Sequence, residues 1–210
     1  MDMQKISRYF PNLTPEQIIC FEKMDSIYRD WNEKINLISR KDIDSLYEKH
    51  ILHSLSIAKI ISFRSGTKIL DVGTGGGFPG IPLAILFPSS NFVLIDSIGK
   101  KIKVVQAVAE ELNLKNVTAI HTRVEEVKEE FDFVISRAVT AFPDFVKLVK
   151  KNVSGKQQNS LPNGIIYLKG GDFQEEIKDF KRNAEVREIS QFFTEPFFET
   201  KKVVFLPVNK

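Results

Sequence analysis

A cluster of glycines between Asp71 and Gly80 carries the clearest chemical signal in the sequence. Four of the five residues from Gly73 to Gly77 are glycine. A plain turn would not need so many, because each glycine loses extra conformational freedom on folding. A backbone without side chains can, however, pass very close to a ligand. The cluster therefore predicts a ligand-binding loop that connects a strand to a helix starting near Pro79.

Two kinds of cofactor fit this loop on sequence grounds. Residues 75–80 match G-x-G-x-x-G, the fingerprint of dinucleotide sites, but this frame begins beyond the end of the strand. The frame that begins at Asp71 starts at the strand end and includes an acid, which would repel a pyrophosphate and suit the amino and sulfonium charges of S-adenosylmethionine. Asp96 ends the next strand and suits the ribose hydroxyls of either cofactor. We favour a methyltransferase, with a nicotinamide-dependent oxidoreductase as the alternative.

The segment ISRAV around Arg137 lacks two motifs that are typical of other methyl acceptors. It has no Asp/Asn-Pro-Pro-aromatic motif to hold an exocyclic amine and no cysteine to attack a pyrimidine ring. A nucleophile with its own lone pair, such as purine N7, needs neither of these motifs. The protein has only to place the methyl group in line with it and to accommodate the charge that moves from sulfur to the purine. Arg137 is suited to contact a carboxylate, a phosphate or guanine O6, and its alternative role is a structural ion pair.

Alternating short apolar runs and helical stretches predict the elements that position these residues. The runs are KILDV, NFVLID, VTAIH, FDFVIS and GIIYL. This alternation predicts a parallel sheet with helices on both faces, and ligands bind at the carboxyl ends of such strands. Residues 187–208 predict two more strands, which should be antiparallel because little chain remains for a crossover helix. An antiparallel addition at the sheet edge favours a methyltransferase fold over most nicotinamide-binding folds.

The first 65 residues have a different, all-helical pattern. Thr14, Pro15 and Gln17 form a helix-start signal, and a second helical segment is expected from about Ile43 to Ile61. We predict an α/β protein with the Rossmann-like fold of class I S-adenosylmethionine-dependent methyltransferases, with a mostly parallel seven-stranded sheet. Residues 1–65 would form a helical extension and residues 66–210 the methyltransferase domain, packed together as one unit.

Composition sets limits on the class of protein. The 210 residues include one cysteine, Cys20, and carry a formal net charge of +3, which permits a polyanionic partner without requiring one. No apolar stretch is long enough to span a membrane and the first residues lack the apolar core of a signal peptide, so we expect a soluble, cytoplasmic protein. We also expect it to be a monomer. The three histidines, His50, His53 and His121, are assigned to packing or solvent contacts, and no metal is expected.

Lysines near the predicted ligand edge are candidates for RNA contact. Lys100 and Lys101 follow Asp96 without an intervening acid, and Lys169 follows the fifth apolar run. Charged helix faces are usually just solvated, so solvent exposure is the alternative for each lysine, and a non-catalytic RNA-binding or cofactor-sensing module is a third candidate function.

The combination of motifs, in order, resembles the small-subunit ribosomal RNA methyltransferase G family, also known as glucose-inhibited division protein B. The resemblance runs from about Trp31 to Gly171 and rests on WNEKINLIS, KHILHSL, DVGTGGGFPGIPLAI, LIDSIGKKIKVV, TRVEEV, ISRAV and YLKGG. It implies a bacterial enzyme that transfers a methyl group from S-adenosylmethionine to N7 of guanosine 527, in the 530 loop of 16S rRNA. The partner would be 16S rRNA or the small ribosomal subunit.

The resemblance also implies roles for single residues. Gly73 and Phe78 would line the cofactor, Val124 and Glu125 would meet the adenine, and Arg137 would complete the site. His53 departs from the family, which usually has Asp there, and puts any acidic role at that position in doubt. The candidate cofactor-binding residues are Asp71, Gly73, Gly75, Phe78, Asp96, Val124, Glu125 and Arg137, with Arg137 also the candidate catalytic residue.

Overall fold

A seven-stranded sheet forms the centre of the protein. The computed structural model describes residues 3–39, 41–137 and 139–208. The strands are β1 (Lys68–Val72), β2 (Asn91–Asp96), β3 (Val117–His121), β4 (Phe133–Arg137), β5 (Gly164–Gly170), β6 (Glu185–Glu188) and β7 (Lys201–Pro207). Their order in the sheet is β3-β2-β1-β4-β5-β7-β6. All pairs among β1 to β5 are parallel, whereas β7 is antiparallel to both β5 and β6, so the predicted sheet is confirmed.

The helices occupy the connections and the N-terminal extension. The α-helices are α1 (Met3–Tyr9), α2 (Pro15–Lys34), α3 (His53–Leu55), α4 (Gly80–Leu86), α5 (Gly99–Glu111), α6 (Phe142–Val149) and α7 (Gln174–Ile177). A π-helix spans Leu46–Leu52, and 3₁₀ helices span Ile43–Ser45, Ser56–Lys59, Val124–Glu126, Lys150–Asn152, Lys178–Phe180, Ile189–Gln191 and Pro196–Thr200.

Helix α2 begins as its sequence predicts. The Thr14 hydroxyl accepts a hydrogen bond from the Gln17 backbone N–H, and the Gln17 side chain accepts one from the Thr14 N–H, which satisfies two N–H groups that a helix end leaves unpaired. The second predicted helical segment is helical from Ile43 to Lys59. It consists of 3₁₀, π and α pieces in succession and is not one regular α-helix.

The N-terminal extension packs directly on the sheet. Phe21 and Leu52 from the extension belong to the same buried hydrophobic cluster as Ile81 of α4, Leu94 of β2 and Phe133 of β4. A second cluster, which includes residues of α6 and α7, covers the opposite face of the sheet. Burial of apolar surface on both faces explains the nearly continuous apolar runs of the central strands.

The two C-terminal strands extend the far edge of the sheet. They are antiparallel to each other, as the sequence predicts, and β6 begins at Glu185, two residues before the predicted segment. The connection between them contains the 3₁₀ helices Ile189–Gln191 and Pro196–Thr200. At the other edge, β3 is largely exposed. The buried strands β1, β2 and β4 lie between these two outer edges. Their carboxyl ends, at Val72, Asp96 and Arg137, lie side by side.

Candidate active site

The glycine loop leaves β1 in a conformation that requires its glycines. Gly73, Gly75 and Gly77 have φ angles of +67°, +59° and +96°, which lie in the left-handed region that side chains disfavour. A Cβ atom added at Gly75 would have no other heavy atom within 4 Å. The glycines are thus required by the left-handed backbone conformation of the loop, and the space beside Gly75 is open.

Asp71 lies behind this loop and outside the cavities that the loop borders. Its side chain is fully buried, and Oδ2 accepts hydrogen bonds from the Thr74 hydroxyl at 2.6 Å and from the Gly80 backbone N–H at 2.9 Å. Burial raises the pKa of the Asp71 carboxyl to about 7. The prediction of cofactor contact by Asp71 does not fit this placement, because strand and loop geometry turn the carboxylate inward. Its contacts hold the loop against the start of α4.

Asp96 faces the ligand side of the same loop. Oδ2 accepts a hydrogen bond from the Gly75 N–H and Oδ1 accepts one from the Ile98 N–H, both at 2.9 Å. These two bonds fix the carboxylate at the carboxyl end of β2. Each carboxylate oxygen can accept more than one hydrogen bond, so Asp96 retains acceptor capacity for a ligand.

Two adjoining cavities meet at Asp96. The smaller cavity, of about 250 Å³, is lined in part by Ile95, Thr122, Arg123, Val124 and Glu125. The larger cavity, of about 390 Å³, is lined by the glycine loop, Phe78, Arg137 and residues of the extension. Both are lined by Gly73, Asp96, Ser97 and Val139. The predicted site residues Gly73, Gly75, Phe78, Asp96, Val124, Glu125 and Arg137 are therefore brought together along one groove.

Arg137 has an unusual set of partners for a half-buried cation. Its Nη1 donates to the Lys49 carbonyl oxygen at 3.2 Å, and its Nη2 donates to His50 Nδ1 at 3.0 Å. The guanidinium carbon lies 5.3 Å from the centre of the Phe78 ring. Among the residues that the structure describes, no carboxylate forms an ion pair with Arg137. Burial lowers the pKa of Arg137 to about 10, so the side chain remains cationic near neutral pH and can receive an anion or a carbonyl oxygen in the larger cavity.

One wall of the larger cavity comes from the N-terminal extension. The side chain of Asn32 accepts hydrogen bonds from the N–H groups of Leu37 and Ile38 at 3.0 and 2.9 Å, and both residues line the cavity with His50. A Cβ added at Gly76 would lie 2.7 Å from Leu37 Cδ2. The sequence prediction did not identify these wall residues; the strings WNEKINLIS and KHILHSL contain them, but helix periodicity alone assigns them to packing.

The candidate RNA-contacting lysines fall into two groups. Lys101 lines the larger cavity and Lys100 is exposed beside it at the start of α5. Lys169, in contrast, forms an ion pair with Glu176 at 2.7 Å, and only 18% of its side chain is exposed. The structure therefore does not support Lys169 as a cation available to phosphate, because seven residues further along the chain a carboxylate already pairs with it.

The histidines have separate environments. His53 is buried beside Phe197 and Phe198, and burial, together with the charge of Arg137, holds its pKa well below the ordinary value. His121 contacts the Ser97 carbonyl oxygen through Nε2 at 3.0 Å. Within residues 3–39, 41–137 and 139–208, no three His, Cys, Asp or Glu side chains gather in a group that could hold a metal ion, and no helix has the length and apolar character to cross a membrane.

A family model and individual relatives place the sequence in the same family. A model of the rRNA small subunit methyltransferase G family matches residues 20–204. The ribosomal RNA small subunit methyltransferase G of Flavobacterium johnsoniae is 61% identical over 207 residues, which cover 99% of each chain. The protein of the same name from Bacteroides thetaiotaomicron is 58% identical over 203 residues, or 97% of this chain and 98% of that one.

Solved structures agree on the fold. An S-adenosylmethionine-dependent O-methyltransferase from Thermotoga maritima matches with a TM-score of 0.60 at 15% identity, over 80% of this chain and 71% of that one. A precorrin-6y C5,15-methyltransferase from Geobacter metallireducens matches with a TM-score of 0.56 at 12% identity, over 82% and 91% of the two chains. At such low identity the likeness concerns the fold alone, and it confirms the predicted Rossmann-like methyltransferase fold.

Proposed function

This chain belongs to the rRNA small subunit methyltransferase G family, and we propose that it transfers the methyl group of S-adenosylmethionine to N7 of guanosine 527 in the 530 loop of bacterial 16S rRNA. The observation that carries the proposal is the groove with Asp96 at its centre and Arg137 at one end. The reaction would take place in the cytoplasm, where bacterial small subunits are assembled.

The residues that line the groove fit the proposed cofactor. Asp96 offers carboxylate oxygens for two ribose hydroxyls at the place where the two cavities meet. Val124 and Glu125, in the smaller cavity, would flank the adenine. The open space beside Gly75 would admit the amino-acid part, and Arg137 would hold a carboxylate there or O6 of the target guanine. When bound, S-adenosylmethionine supplies a methyl group on a positively charged sulfur.

The larger cavity favours a nucleophile that needs no base. Among its described lining residues, the titratable side chains are His50, Asp96, Lys101 and Arg137. The carboxylate of Asp96 is held by two backbone N–H groups, and Nδ1 of His50 is occupied by Arg137. Purine N7 has its own lone pair and loses no proton when it is methylated. The task of the chain is therefore to position the guanine and accommodate the charge that moves onto it.

A methyl-transfer assay with mapped product tests the proposed function. Purified protein is incubated with labelled S-adenosylmethionine and with stripped 16S rRNA, assembly intermediates or small subunits. We expect label in one of these substrates, and chemical cleavage at N7-methylguanosine should map it to the 530 loop. Label on another atom or another nucleotide would contradict the proposed specificity.

Two controls separate the alternative functions. A nicotinamide-dependent enzyme would be stabilised against heat by NAD, whereas a methyltransferase would be stabilised by S-adenosylhomocysteine, because only a bound ligand shifts the unfolding equilibrium. A non-catalytic module would bind S-adenosylhomocysteine and transfer no label to any of the RNA substrates.

A further inference from the structure

We propose that His50 is a positioning residue for Arg137, which it orients in the larger cavity by accepting a hydrogen bond without adding a negative charge. The inference rests on the proposed function, in which Arg137 contacts the cofactor or the target base. His50 Nδ1 and Arg137 Nη2 are 3.0 Å apart, although the two residues are 87 positions apart in the chain. Both side chains line the larger cavity, so their contact lies at the site itself.

The chemistry of the pair determines the protonation of the imidazole. A guanidinium has only N–H donors, so His50 Nδ1 must be the acceptor. In a neutral imidazole the single proton then lies on Nε2. Burial, reinforced by the charge of Arg137, lowers the pKa of His50 to about 3, which agrees with a neutral ring. A neutral His50 ring can therefore accept a hydrogen bond from Arg137 near neutral pH.

Three contacts hold the guanidinium from different sides. The neighbouring Lys49 carbonyl accepts from Nη1 while His50 accepts from Nη2, so two consecutive residues engage two different nitrogens. The Phe78 ring lies 5.3 Å from the guanidinium carbon and 5.1 Å from the centre of the His50 ring. A guanidinium has five N–H groups, so further donors are left for a ligand once its plane has been fixed.

A neutral acceptor has an advantage over a carboxylate at this position. An Asp or Glu beside Arg137 would form an ion pair and would compete with an anionic ligand for the same charge. A histidine fixes the direction of the N–H groups and adds no negative charge to the longer-range interaction that Arg137 already has with Asp71. Among the described residues, no carboxylate lies close enough to Arg137 to form an ion pair, and Asp71 interacts with it only at longer range.

Two His50 variants test this role. His50→Asn keeps a side-chain acceptor close to the place of Nδ1, and His50→Leu keeps apolar contact with Phe78 but removes the acceptor. We measure S-adenosylhomocysteine affinity by calorimetry and methyl transfer under single-turnover conditions. The variant Arg137→Gln first shows whether Arg137 contributes to affinity, to the rate of methyl transfer or to both. His50→Leu should lower the same quantity about tenfold or more, because misplacement of a reacting group by about an ångström can cost a hundredfold. His50→Asn should stay within about threefold of wild type.

A double-mutant cycle separates positioning from packing. In an Arg137→Gln background, His50→Leu should change the same quantity by less than about twofold, because a residue that acts through Arg137 has nothing left to orient. Losses that multiply in the double variant, or equal losses in His50→Asn and His50→Leu, would overturn the proposal. So would a nitrogen-15 NMR spectrum in which His50 Nδ1 carries a proton at neutral pH.

The proposed function and this inference fail in different ways. If wild-type protein transfers no methyl group to any ribosomal RNA or particle, the proposed function is wrong. The S-adenosylhomocysteine affinities and the NMR spectrum still report then on the His50 and Arg137 pair. If wild-type protein is active and His50→Leu has wild-type activity and affinity, the role of His50 alone is wrong.

Discussion

The hydroxyl of Tyr28 donates a 2.7 Å hydrogen bond to the carbonyl oxygen of Gly76. Tyr28 is fully buried in α2, and its ring lies 4.9 Å from the Phe78 ring. Burial raises its pKa, so the hydroxyl remains a donor. This side chain of the N-terminal extension therefore anchors the glycine loop, which makes the extension a structural part of the proposed cofactor site.

The first prediction concerns this anchor. Tyr28→Phe should destabilise the protein by about 1–2 kcal/mol, because a buried carbonyl loses its donor, and should raise the dissociation constant for S-adenosylhomocysteine by about threefold to tenfold. Urea unfolding and calorimetry measure the two effects. Tyr47→Phe is the matched control, since Tyr47 donates to the Phe21 carbonyl oxygen away from the loop. It should lose stability and keep its affinity. Equal affinity in both variants would refute the anchor.

Gly75→Val should abolish cofactor binding more than it lowers stability. The left-handed φ of Gly75 costs a branched residue about 1–2 kcal/mol, and its side chain would project into the open space of the larger cavity. Gly66→Val is the control, because Gly66 has a φ of +81° and equally open surroundings but lines neither cavity. Thermal unfolding should shift similarly in both variants, and calorimetry should detect binding only in Gly66→Val. Normal binding by Gly75→Val would show that the loop does not approach the ligand.

Asp96→Ala should weaken binding by more than tenfold. Two charge-assisted hydrogen bonds to ribose, each worth about 1.5–3 kcal/mol, would be lost, and the Gly75 and Ile98 N–H groups would lose their acceptor. Calorimetry with S-adenosylhomocysteine gives the affinity, and circular dichroism checks the fold. Unchanged affinity in a folded variant would exclude Asp96 as the ribose ligand.

Arg137→Lys should separate chemistry from binding. Lysine keeps the charge but lacks the rigid planar fork of a guanidinium, so the contacts to Lys49 and His50 should lose their fixed geometry. Methyl transfer in a single-turnover assay at saturating cofactor and RNA should fall on the order of a hundredfold, and the free energy of unfolding should change far less. A wild-type rate in this assay would make Arg137 a structural residue.

Asp71→Asn should change how stability depends on pH. The pKa of Asp71 is raised to about 7 in the folded protein from an ordinary 3.8, so the folded state keeps a proton that the unfolded chain releases. Its contribution to stability is complete below pH 3.8 and is lost as the pH rises through 7. Relative to Asp71→Asn, wild type should therefore lose up to about 1.4 kcal/mol per pH unit in that range.

Urea unfolding of both proteins at pH 5 and pH 8 measures this difference. The depressed pKa values of His50 and His53 act in the opposite direction, since they reduce stability as the pH falls, but they are common to both proteins and cancel in the comparison. Parallel stability curves would show that Asp71 titrates normally.

The sequence predicts those parts of the site that depend on local pattern. Gly73 follows an apolar run directly, Gly75 lies two residues further on and Asp96 ends the next run, so their position at the carboxyl ends of strands follows from the alternation of elements. The direction of a side chain is less predictable. Asp71 is one residue from the strand end, yet its carboxylate turns inward to Thr74 and Gly80.

Contacts between distant segments account for the rest. The pairing of Arg137 with Lys49 and His50 spans more than eighty residues, and no local periodicity encodes which two segments will meet. Lys169 shows the same limit on a shorter scale, because its ion pair with Glu176 depends on how the chain turns between β5 and α7. The sequence pattern therefore identifies candidate residues, but their contacts with other side chains depend on tertiary packing.

The distance along the chain between His50 and Arg137 has a consequence for biosynthesis. The extension leaves the ribosome first, so Tyr28 and His50 are made before the glycine loop and well before β4. The apolar residues of α2 that pack on the sheet stay uncovered until β1, α4 and β2 have emerged, and the larger cavity is incomplete before Arg137 is added. Long-range contacts of this kind form late. A nascent chain stalled before residue 137 would therefore carry the loop but no complete site, and the newly made protein becomes competent only when its fourth strand is in place.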